Sequence, residues 1–228
     1  MQKFKELTEE MDIFPILGAG NNFDNPPGHI PLGEDSPHIN AVATMTQPEL
    51  NDYVLAQHKA QGITWSLSGD RENRVALYEK CDPPQDSARS IHIGVDVNAP
   101  AGTKLHAPIA MTIHKVDYEG GLGGYGWYVI TRAELRGVEF FFLFGHLAED
   151  GLPNVGDELE KGQVFALIGD FHENGMWFHH VHVQVLTRES IEAGWALEAL
   201  CEPHEMEKFD IWSPSAMPII NWTGKGEV

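Results

Sequence analysis

Basic residues are scarce in this 228-residue sequence, where 15 lysines and arginines stand against 34 aspartates and glutamates. The resulting formal charge of −19 repels phosphate backbones, so we expect no nucleic-acid ligand. The two cysteines, Cys81 and Cys201, are too few for a disulfide framework or a cysteine-rich zinc site, and we expect no disulfide between them. No apolar run approaches the roughly 20 residues that a membrane-spanning helix needs. The sequence therefore predicts no membrane span.

Uninterrupted apolar sequence is also missing from the N-terminus, where Glu6, Glu9, Glu10 and Asp12 break up the short apolar patches. A secretory signal peptide does not tolerate such charges in its apolar region, so we expect a cytoplasmic location. In contrast, the sequence has 23 glycines, 14 prolines and 42% hydrophobic residues. This composition excludes a long coiled coil or a disordered chain and favours a compact domain with extensions, of unspecified oligomeric state.

Residues 1–80 are predicted to form an irregular N-terminal extension with one helix, at about 47–61. Thr46 and Glu49 have the spacing of a capping box, in which each residue satisfies a backbone N–H of the other. Gly62 is suited to end the helix because glycine adopts the left-handed conformation without strain.

Residues 81–188 carry short β-branched and aromatic runs separated by glycines. Such runs are typical of strands, and they predict one mainly β domain. The runs are IHIGVDV, TIHKV, WYVIT, VEFFFLF, VFALIG and VHVQVL. Residues 189–228 are predicted to add a C-terminal helix, at 189–201, and an irregular strap.

Histidines occupy the polar face of two of these strands. In the first strand, alternation places isoleucines and valines on one face and His92 and Asp96 on the other. In the second strand, three valines share one face while His180, His182 and Gln184 share the opposite one. This placement away from the apolar face makes the histidines candidates for a common site.

Spacing along the strand limits which of these side chains can bind one ion. Positions i and i+2 lie about 6.6 Å apart, so His180 and His182 can serve one site. Positions i and i+4 lie about 13 Å apart, so His92 and Asp96 can share an ion only if the strand bends, as Gly94 between them permits. Two imidazole nitrogens and one carboxylate oxygen are a usual ligand set for a catalytic zinc, with the fourth position left for water.

Another histidine, His146, ends the apolar run 140–147 beside Gly145. On its own, a histidine at a strand end is expected to be hydrogen-bonded without a catalytic role. Together with the two other clusters, it becomes a candidate site residue. Tyr125 and Trp177 are candidates for lining a groove, although packing alone would account for them equally well.

Five short elements occur in a definite order: His92-Ile-Gly-Val-Asp96, Gly123-Gly-Tyr-Gly126, Phe144-Gly-His146-Leu147, Gly156 to Gln163 with Lys161, and His180-Val-His182. This ordered set resembles the lysostaphin-type zinc metallopeptidases, also called LytM-like or duplicated-hybrid-motif endopeptidases. The resemblance covers roughly residues 89–185, and the set is specific although no single element is. A longer likeness, from Gly69 to Trp177, indicates a subgroup of that family.

The resemblance implies particular roles for the five site residues. His92, Asp96 and His182 match the family's zinc ligands. His146 and His180 match the two histidines that flank the metal, and we assign to them jointly the acceptance of the water proton and the stabilisation of the oxyanion.

The same resemblance implies a fold, a cofactor and a substrate class. The expected fold is an antiparallel β-sheet or sandwich of the duplicated-hybrid-motif type, bent into a groove with Zn²⁺ on its floor and with small helical additions at both ends. The expected function is that of a zinc-dependent endopeptidase. Its expected substrate is a peptide, either a peptidoglycan fragment or another small peptide, cut by zinc-activated water.

Two other classes of protein remain open from the sequence. Two histidines and one carboxylate also form the Fe(II) site of jelly-roll oxygenases. In those enzymes the H-x-H usually opens the motif, whereas here it comes last and the next acid is Glu189. The second alternative is a catalytically silent binding module of the peptidase fold, although such relatives usually lose a ligand and all five positions are kept here.

Overall fold

The computed structural model describes residues 2–9, 11–34, 36–78, 88–121 and 123–220. Within these ranges, no helix is both long and apolar enough to cross a bilayer. The α-helices are α1 (Gln2–Thr8), α2 (Ile39–Val42), α3 (Gln47–Gln61), α4 (Val75–Tyr78), α5 (Arg188–Glu192), α6 (Met206–Trp212) and α7 (Met217–Ile220). The strands are β1 (Gly28–His29), β2 (Ser66–Ser68), β3 (Ile91–His92), β4 (Val95–Asn98), β5 (Lys104–His106), β6 (Met111–Glu119), β7 (Gly126–Leu135), β8 (Val138–Leu147), β9 (Glu158–Leu159), β10 (Val164–Leu167), β11 (His180–Thr187) and β12 (Leu200–Cys201).

One large sheet dominates the structure, and the prediction of a mainly β fold is confirmed. The sheet has eight strands in the order β1-β2-β4-β11-β8-β7-β6-β9. Its neighbouring strands run antiparallel except at one edge, where β1 and β2 are parallel. Two smaller sheets pair β10 with β5 and β12 with β3. The sheet is therefore mixed, and its parallel edge lies in the N-terminal extension.

The two faces of the central strands differ in chemistry as the sequence predicts. The valines of β4 and β11 belong to the main hydrophobic core, together with Phe142 and Phe144 of β8. The opposite, polar face is buried as well, and Asp96 and His182 are each only 1% exposed. Burial of a polar face is stable only when its groups find partners, so the hydrogen bonds of this face determine what it can do.

The predicted N-terminal helix is present as α3. The Thr46 hydroxyl accepts a hydrogen bond from the Glu49 N–H, and the Glu49 carboxylate accepts one from the Thr46 N–H. The helix ends at Gly62, which has a φ of +67°. The capping box and the left-handed cap are both confirmed.

The prediction of a single helix before residue 80 is wrong, because α1, α2 and α4 are also present in that part of the chain. The extension also adds strands to the main sheet, since β2 pairs with β4. A three-residue strand of serine, leucine and serine is too short and too polar for an alternating pattern to reveal it. Helix α1 packs on the core through Phe4, whose ring centroid lies 4.9 Å from that of Phe140. The division of the chain near residues 80 and 188 stays a prediction.

The C-terminal helix is much shorter than predicted. Instead of extending over 189–201, α5 ends at Glu192, and Gly194 follows with a φ of +79°. The chain then forms β12, which is hydrogen-bonded to β3. Tertiary pairing with β3 therefore overrides the local helix preference of this segment.

Of the two cysteines, the structure describes Cys201 but not Cys81. Cys201 is a free thiol that is fully buried on β12. Cys81 lies outside the described residues, so the expected absence of a disulfide stays a prediction.

We expect Thr46→Ala to lower the free energy of unfolding by about 1 kcal/mol, because it removes the side-chain acceptor of the α3 capping box. Thr44→Ala is the matched control, since the hydroxyl of this exposed threonine donates to the Ala41 carbonyl and caps no helix N-terminus. Its effect should stay within about 0.5 kcal/mol. Chemical denaturation of both variants measures the difference, and equal losses would contradict the capping assignment.

Candidate metal centre

Three predicted ligands converge where β3, β4 and β11 meet. The register of β4 and β11 places Asp96 directly opposite His182. His92 lies on β3, and the chain turns between β3 and β4 at Gly94, whose φ is +112°. The bend that the sequence requires is therefore present. A side chain would not fit there, because a Cβ atom on Gly94 would lie 2.7 Å from His182 Nε2.

The donor atoms of the three residues lie at nearly equal distances from one another. His92 Nε2 is 3.2 Å from His182 Nδ1. Asp96 Oδ1 is 3.1 Å from His182 Nδ1 and 3.4 Å from His92 Nε2. All three side chains are buried, and they form a group whose donor atoms could hold one metal ion.

The protonation of His92 follows from its hydrogen bond to the backbone. Its Nδ1 lies 2.8 Å from the carbonyl oxygen of Gly69. A carbonyl oxygen can only accept, so Nδ1 carries the proton and donates it. The Nε2 atom of the neutral ring is therefore left with a bare lone pair facing the other two ligands.

The protonation of His182 follows from the amide of Gln184. The Gln184 Nε2 donates to the carbonyl oxygen of Glu198 at 3.2 Å, which leaves Oε1 facing His182 Nε2 at 3.1 Å. The Tyr125 hydroxyl also donates to this Oε1, at 3.3 Å. His182 Nε2 is therefore the protonated nitrogen, and its Nδ1 presents a lone pair to the cluster.

Two bare nitrogens and a carboxylate oxygen thus face one another without a proton between them. Such a buried cluster of lone pairs is repulsive unless a cation lies among them. Donors that lie 2.0–2.1 Å from a tetrahedrally bound zinc are about 3.3 Å from one another. The three observed separations match this value closely, so the residues fit a metal ion.

His146 lies at the end of β8 in a strained backbone conformation. Its φ is +63°, which is unusual for a residue with a side chain and is often found at functional sites. Hydrogen bonds hold it there, since its N–H donates to the Tyr125 carbonyl at 2.8 Å and its Nδ1 donates to the Asn174 carbonyl at 2.8 Å. Its Nε2 is therefore left as an acceptor. The ring centroid lies 6.3 Å from that of His182.

His180 lies between His146 and the carboxylate. Its Nδ1 donates to the Phe178 carbonyl at 2.7 Å, and its ring stacks on the Phe178 ring with the centroids 4.4 Å apart. Its Nε2 lies 3.6 Å from Asp96 Oδ1, and its ring centroid is 4.4 Å from that of His146. The structure thus brings all five predicted site residues together, while their separate roles stay predictions.

Burial sets the charge state of these groups at neutral pH. Burial lowers the pKa of His146 well below its usual value, and it lowers the pKa of His180 to about 4. Both imidazoles are therefore neutral at pH 7, which is the form that accepts a proton. Burial alone would raise the pKa of Asp96, but the Arg74 guanidinium beside it holds this pKa well below its usual value, so the group is a carboxylate.

A cavity of about 390 Å³ opens above the cluster. His92, Asp96, His146 and His180 lie in its wall. Tyr125 and Trp177, the predicted groove residues, line it as well. The cluster is therefore accessible to a small ligand from one side.

Sequence reasoning missed two residues that contact the site. Arg74 Nη2 donates to Asp96 Oδ2 at 2.7 Å, and Arg74 Nε donates to Glu72 at 2.9 Å. Neither residue belongs to a periodic pattern, and Arg74 lies 22 residues before Asp96 in the chain. The one available signal is that both lie in the longer likeness beginning at Gly69.

Comparison with known proteins places the site inside a recognised domain. Residues 90–193 match the sequence model of Peptidase family M23. The resemblance to lysostaphin-type peptidases is thereby confirmed over these residues, which form an M23 peptidase domain. The match includes all five predicted site residues.

Individual relatives cover only part of this chain. A Haemophilus influenzae protein described as an uncharacterized metalloprotease is 34% identical over 96 residues, which are 37% of this chain and 19% of that protein. The chain thus spans about a fifth of the length of this curated relative. A zinc-containing peptidase from Vibrio cholerae is 25% identical, with 43% of this chain and 28% of that chain covered and a TM-score of 0.36. The catalytic domain of lysostaphin from Staphylococcus simulans is 21% identical, with 52% and 80% covered and a TM-score of 0.38.

We expect Gly94→Ala to weaken divalent-metal binding about tenfold or more, because the new methyl group would press on the His182 ring. Gly102→Ala is the matched control. Gly102 also has a positive φ, +77°, but apart from its chain neighbours no heavy atom of the described residues lies within 4 Å of its added Cβ. Competition with a chromogenic chelator measures both affinities, and an unchanged affinity in Gly94→Ala would show that the bend does not position the ligands.

Proposed function

We propose that the M23 peptidase domain of this protein is a zinc-dependent endopeptidase. His92, Asp96 and His182 would hold the zinc ion, since their donor set and spacing fit it. The observation that carries the proposal is the convergence of two bare imidazole nitrogens and one carboxylate oxygen at 3.1–3.4 Å. The family match over residues 90–193 supports peptide hydrolysis as the associated chemistry.

The remaining two histidines are suited to proton transfer. A zinc ion held by the three ligands would supply Lewis-acid activation of a water molecule and of the substrate carbonyl. The Nε2 atoms of His146 and His180 are acceptors, because each Nδ1 donates to a backbone carbonyl. One of these rings accepts the proton of the attacking water, and the protonated ring then donates to the oxyanion or to the leaving amine. We assign this task to the two residues jointly.

The strain at His146 supports a role beyond packing. A left-handed conformation costs a side-chain-bearing residue of order 1–3 kcal/mol, which the surrounding structure must offset. Here the Tyr125 and Asn174 carbonyls hold both the backbone and the ring. The outcome is a neutral imidazole kept beside His180 in one orientation, as a general base requires.

The size and the lining of the cavity are consistent with a small peptide as the substrate. Its volume of about 390 Å³ is at the lower end of the range for small-ligand pockets. Trp177 and Tyr125 offer apolar surface, while Arg89 and Glu198 supply charge at its wall. We propose peptidoglycan-type stem or cross-bridge peptides, or other short peptides, as the substrates.

The alternatives from the sequence have less support. An iron-dependent jelly-roll oxygenase is not favoured, because the ligand-bearing residues match a peptidase family. A catalytically silent module is not favoured either, because the five side chains are brought together with their nitrogens oriented for binding and proton transfer.

We expect His182→Ala to lose both zinc content and peptide hydrolysis, because it removes one of three ligands. His146→Ala should keep the zinc and lower kcat by about 10²–10⁴-fold, because it removes a proton acceptor while sparing the ligands. Metal analysis gives the zinc content, and mass spectrometry of defined muropeptides and short glycine or D-amino-acid peptides gives the turnover. His172→Ala, at an exposed histidine, is the control and should retain both properties. Full turnover in His146→Ala would refute the role of this residue.

Removal of the metal provides an independent test. Treatment of the wild-type chain with 1,10-phenanthroline should abolish hydrolysis, and stoichiometric zinc should restore it, because the protein groups alone cannot polarise the substrate carbonyl strongly. Non-chelating 1,7-phenanthroline controls for direct inhibition. Activity that survives complete metal removal would contradict the proposed mechanism.

A further inference from the structure

We infer that Arg74, held by Glu72, is a positioning residue of the metal centre that makes Asp96 a one-oxygen ligand. This inference rests on the zinc site proposed above. It concerns a part of the chain that lies outside the residues matched to the M23 family, which begin at 90.

The two oxygens of Asp96 have separate partners. Oδ1 faces His182 Nδ1 at 3.1 Å and His92 Nε2 at 3.4 Å. Oδ2 accepts a hydrogen bond from Arg74 Nη2 at 2.7 Å. The side chains of Arg74 and Asp96 are 6% and 1% exposed, so water screens this charged pair very little. While the pair is intact, Oδ2 cannot turn toward the metal, and Oδ1 alone is available as a ligand.

Glu72 holds the guanidinium from its other side. Its Oε2 accepts from Arg74 Nε at 2.9 Å, and its Oε1 accepts from the Leu32 N–H at 2.8 Å. The Glu72 side chain passes close to two glycines, since a Cβ on Gly69 would lie 2.3 Å from Glu72 Cβ and one on Gly33 would lie 2.5 Å from Glu72 Cγ. The backbone of residues 32, 33 and 69 therefore fixes the Glu72 side chain, and the Glu72 carboxylate in turn holds the Arg74 guanidinium in one position.

The segment 69–74 also contacts a second ligand. The Gly69 carbonyl accepts from His92 Nδ1, and the Glu72 carbonyl accepts from the His92 N–H at 2.9 Å. The Arg71 N–H donates to the His92 carbonyl at 3.1 Å, and Arg71 has a left-handed φ of +65°. One short segment thus orients His92 through its backbone and Asp96 through Arg74.

This arrangement has a direct consequence for metal affinity. Partners that orient metal ligands typically contribute 10–100-fold to metal affinity. Without Arg74, Asp96 is free to rotate and to offer both oxygens or neither, and its buried outer oxygen loses its partner. The loss should therefore weaken zinc binding and change the coordination geometry, even though no ligand is removed.

The test compares two arginines that line the same cavity. In the full chain, Arg74→Met should weaken zinc binding 10–100-fold in a chelator competition. It should also alter the visible absorption spectrum of the cobalt(II)-substituted protein, which reports coordination number. Arg89→Met is the matched control, because Arg89 pairs with Glu198 instead of a ligand. Its affinity should stay within about threefold of the wild type, and its cobalt spectrum should be unchanged.

Two milder variants keep the test decisive if Arg74→Met does not fold. Glu72→Gln keeps the shape of the side chain but weakens its hold on Arg74, so it should weaken zinc binding several-fold. Arg74→Lys keeps the charge but cannot bridge Glu72 and Asp96 as the planar guanidinium does, so it should also bind zinc less tightly than the wild type. Folded variants with the wild-type zinc affinity and cobalt spectrum would overturn the inference.

The binding measurement separates this inference from the proposed activity. Because it requires no substrate, a wild-type chain that binds zinc but cuts no peptide would refute the endopeptidase and still allow weaker binding in Arg74→Met to support the inference. Unchanged zinc binding in Arg74→Met would refute the inference while leaving peptide hydrolysis by the wild type intact. A wild-type chain that binds no zinc would overturn both.

Discussion

The candidate metal centre depends on hydrogen bonds that remove every proton from the space between its three donor atoms. Backbone and amide oxygens accept from the outer nitrogens of His92 and His182, so the inner nitrogens are bare. The same device leaves His146 and His180 with bare Nε2 atoms, since each Nδ1 donates to a carbonyl. A buried site of this kind is repulsive when empty of positive charge, and this repulsion is the physical reason that it is suited to a cation.

Strand pairing in the sheet sets the spacing of the site side chains, while hydrogen bonds that come mostly from loops orient the histidine rings. Antiparallel register sets Asp96 opposite His182. His92 requires the turn at Gly94, whose φ of +112° and close approach to the His182 ring suit glycine alone. The accepting groups, in contrast, come from Gly69, Asn174, Phe178 and Gln184, of which only Gln184 lies within a strand. The residues that space the site side chains and the groups that fix which histidine nitrogens are protonated thus come mostly from different parts of the chain.

This division explains what the sequence could predict. Alternation of period two identifies the polar faces of β4 and β11, because the signal is local and repeats every second residue. The capping box of α3 is local as well. Strand β2, the early end of α5 and the contact of Arg74 with Asp96 depend on partners far away in the chain, so no pattern within a short window contains them. Resemblance to a known family identified His146, whose isolated position at a strand end would otherwise favour a purely structural role.

The N-terminal extension contributes to both halves of the proposed chemistry. Segment 69–74 contacts His92 and Asp96. Helix α3 contacts the chain just before His180, since Gln47 and Asn51 accept from the backbone N–H groups of residues 178 and 179. The carbonyl of residue 178 in turn accepts from His180 Nδ1, so α3 helps to orient the His180 ring. A fragment limited to residues 90–193 would retain all five site side chains and lose these contacts. The matched domain therefore carries the five site side chains, whereas residues before it contact and orient them.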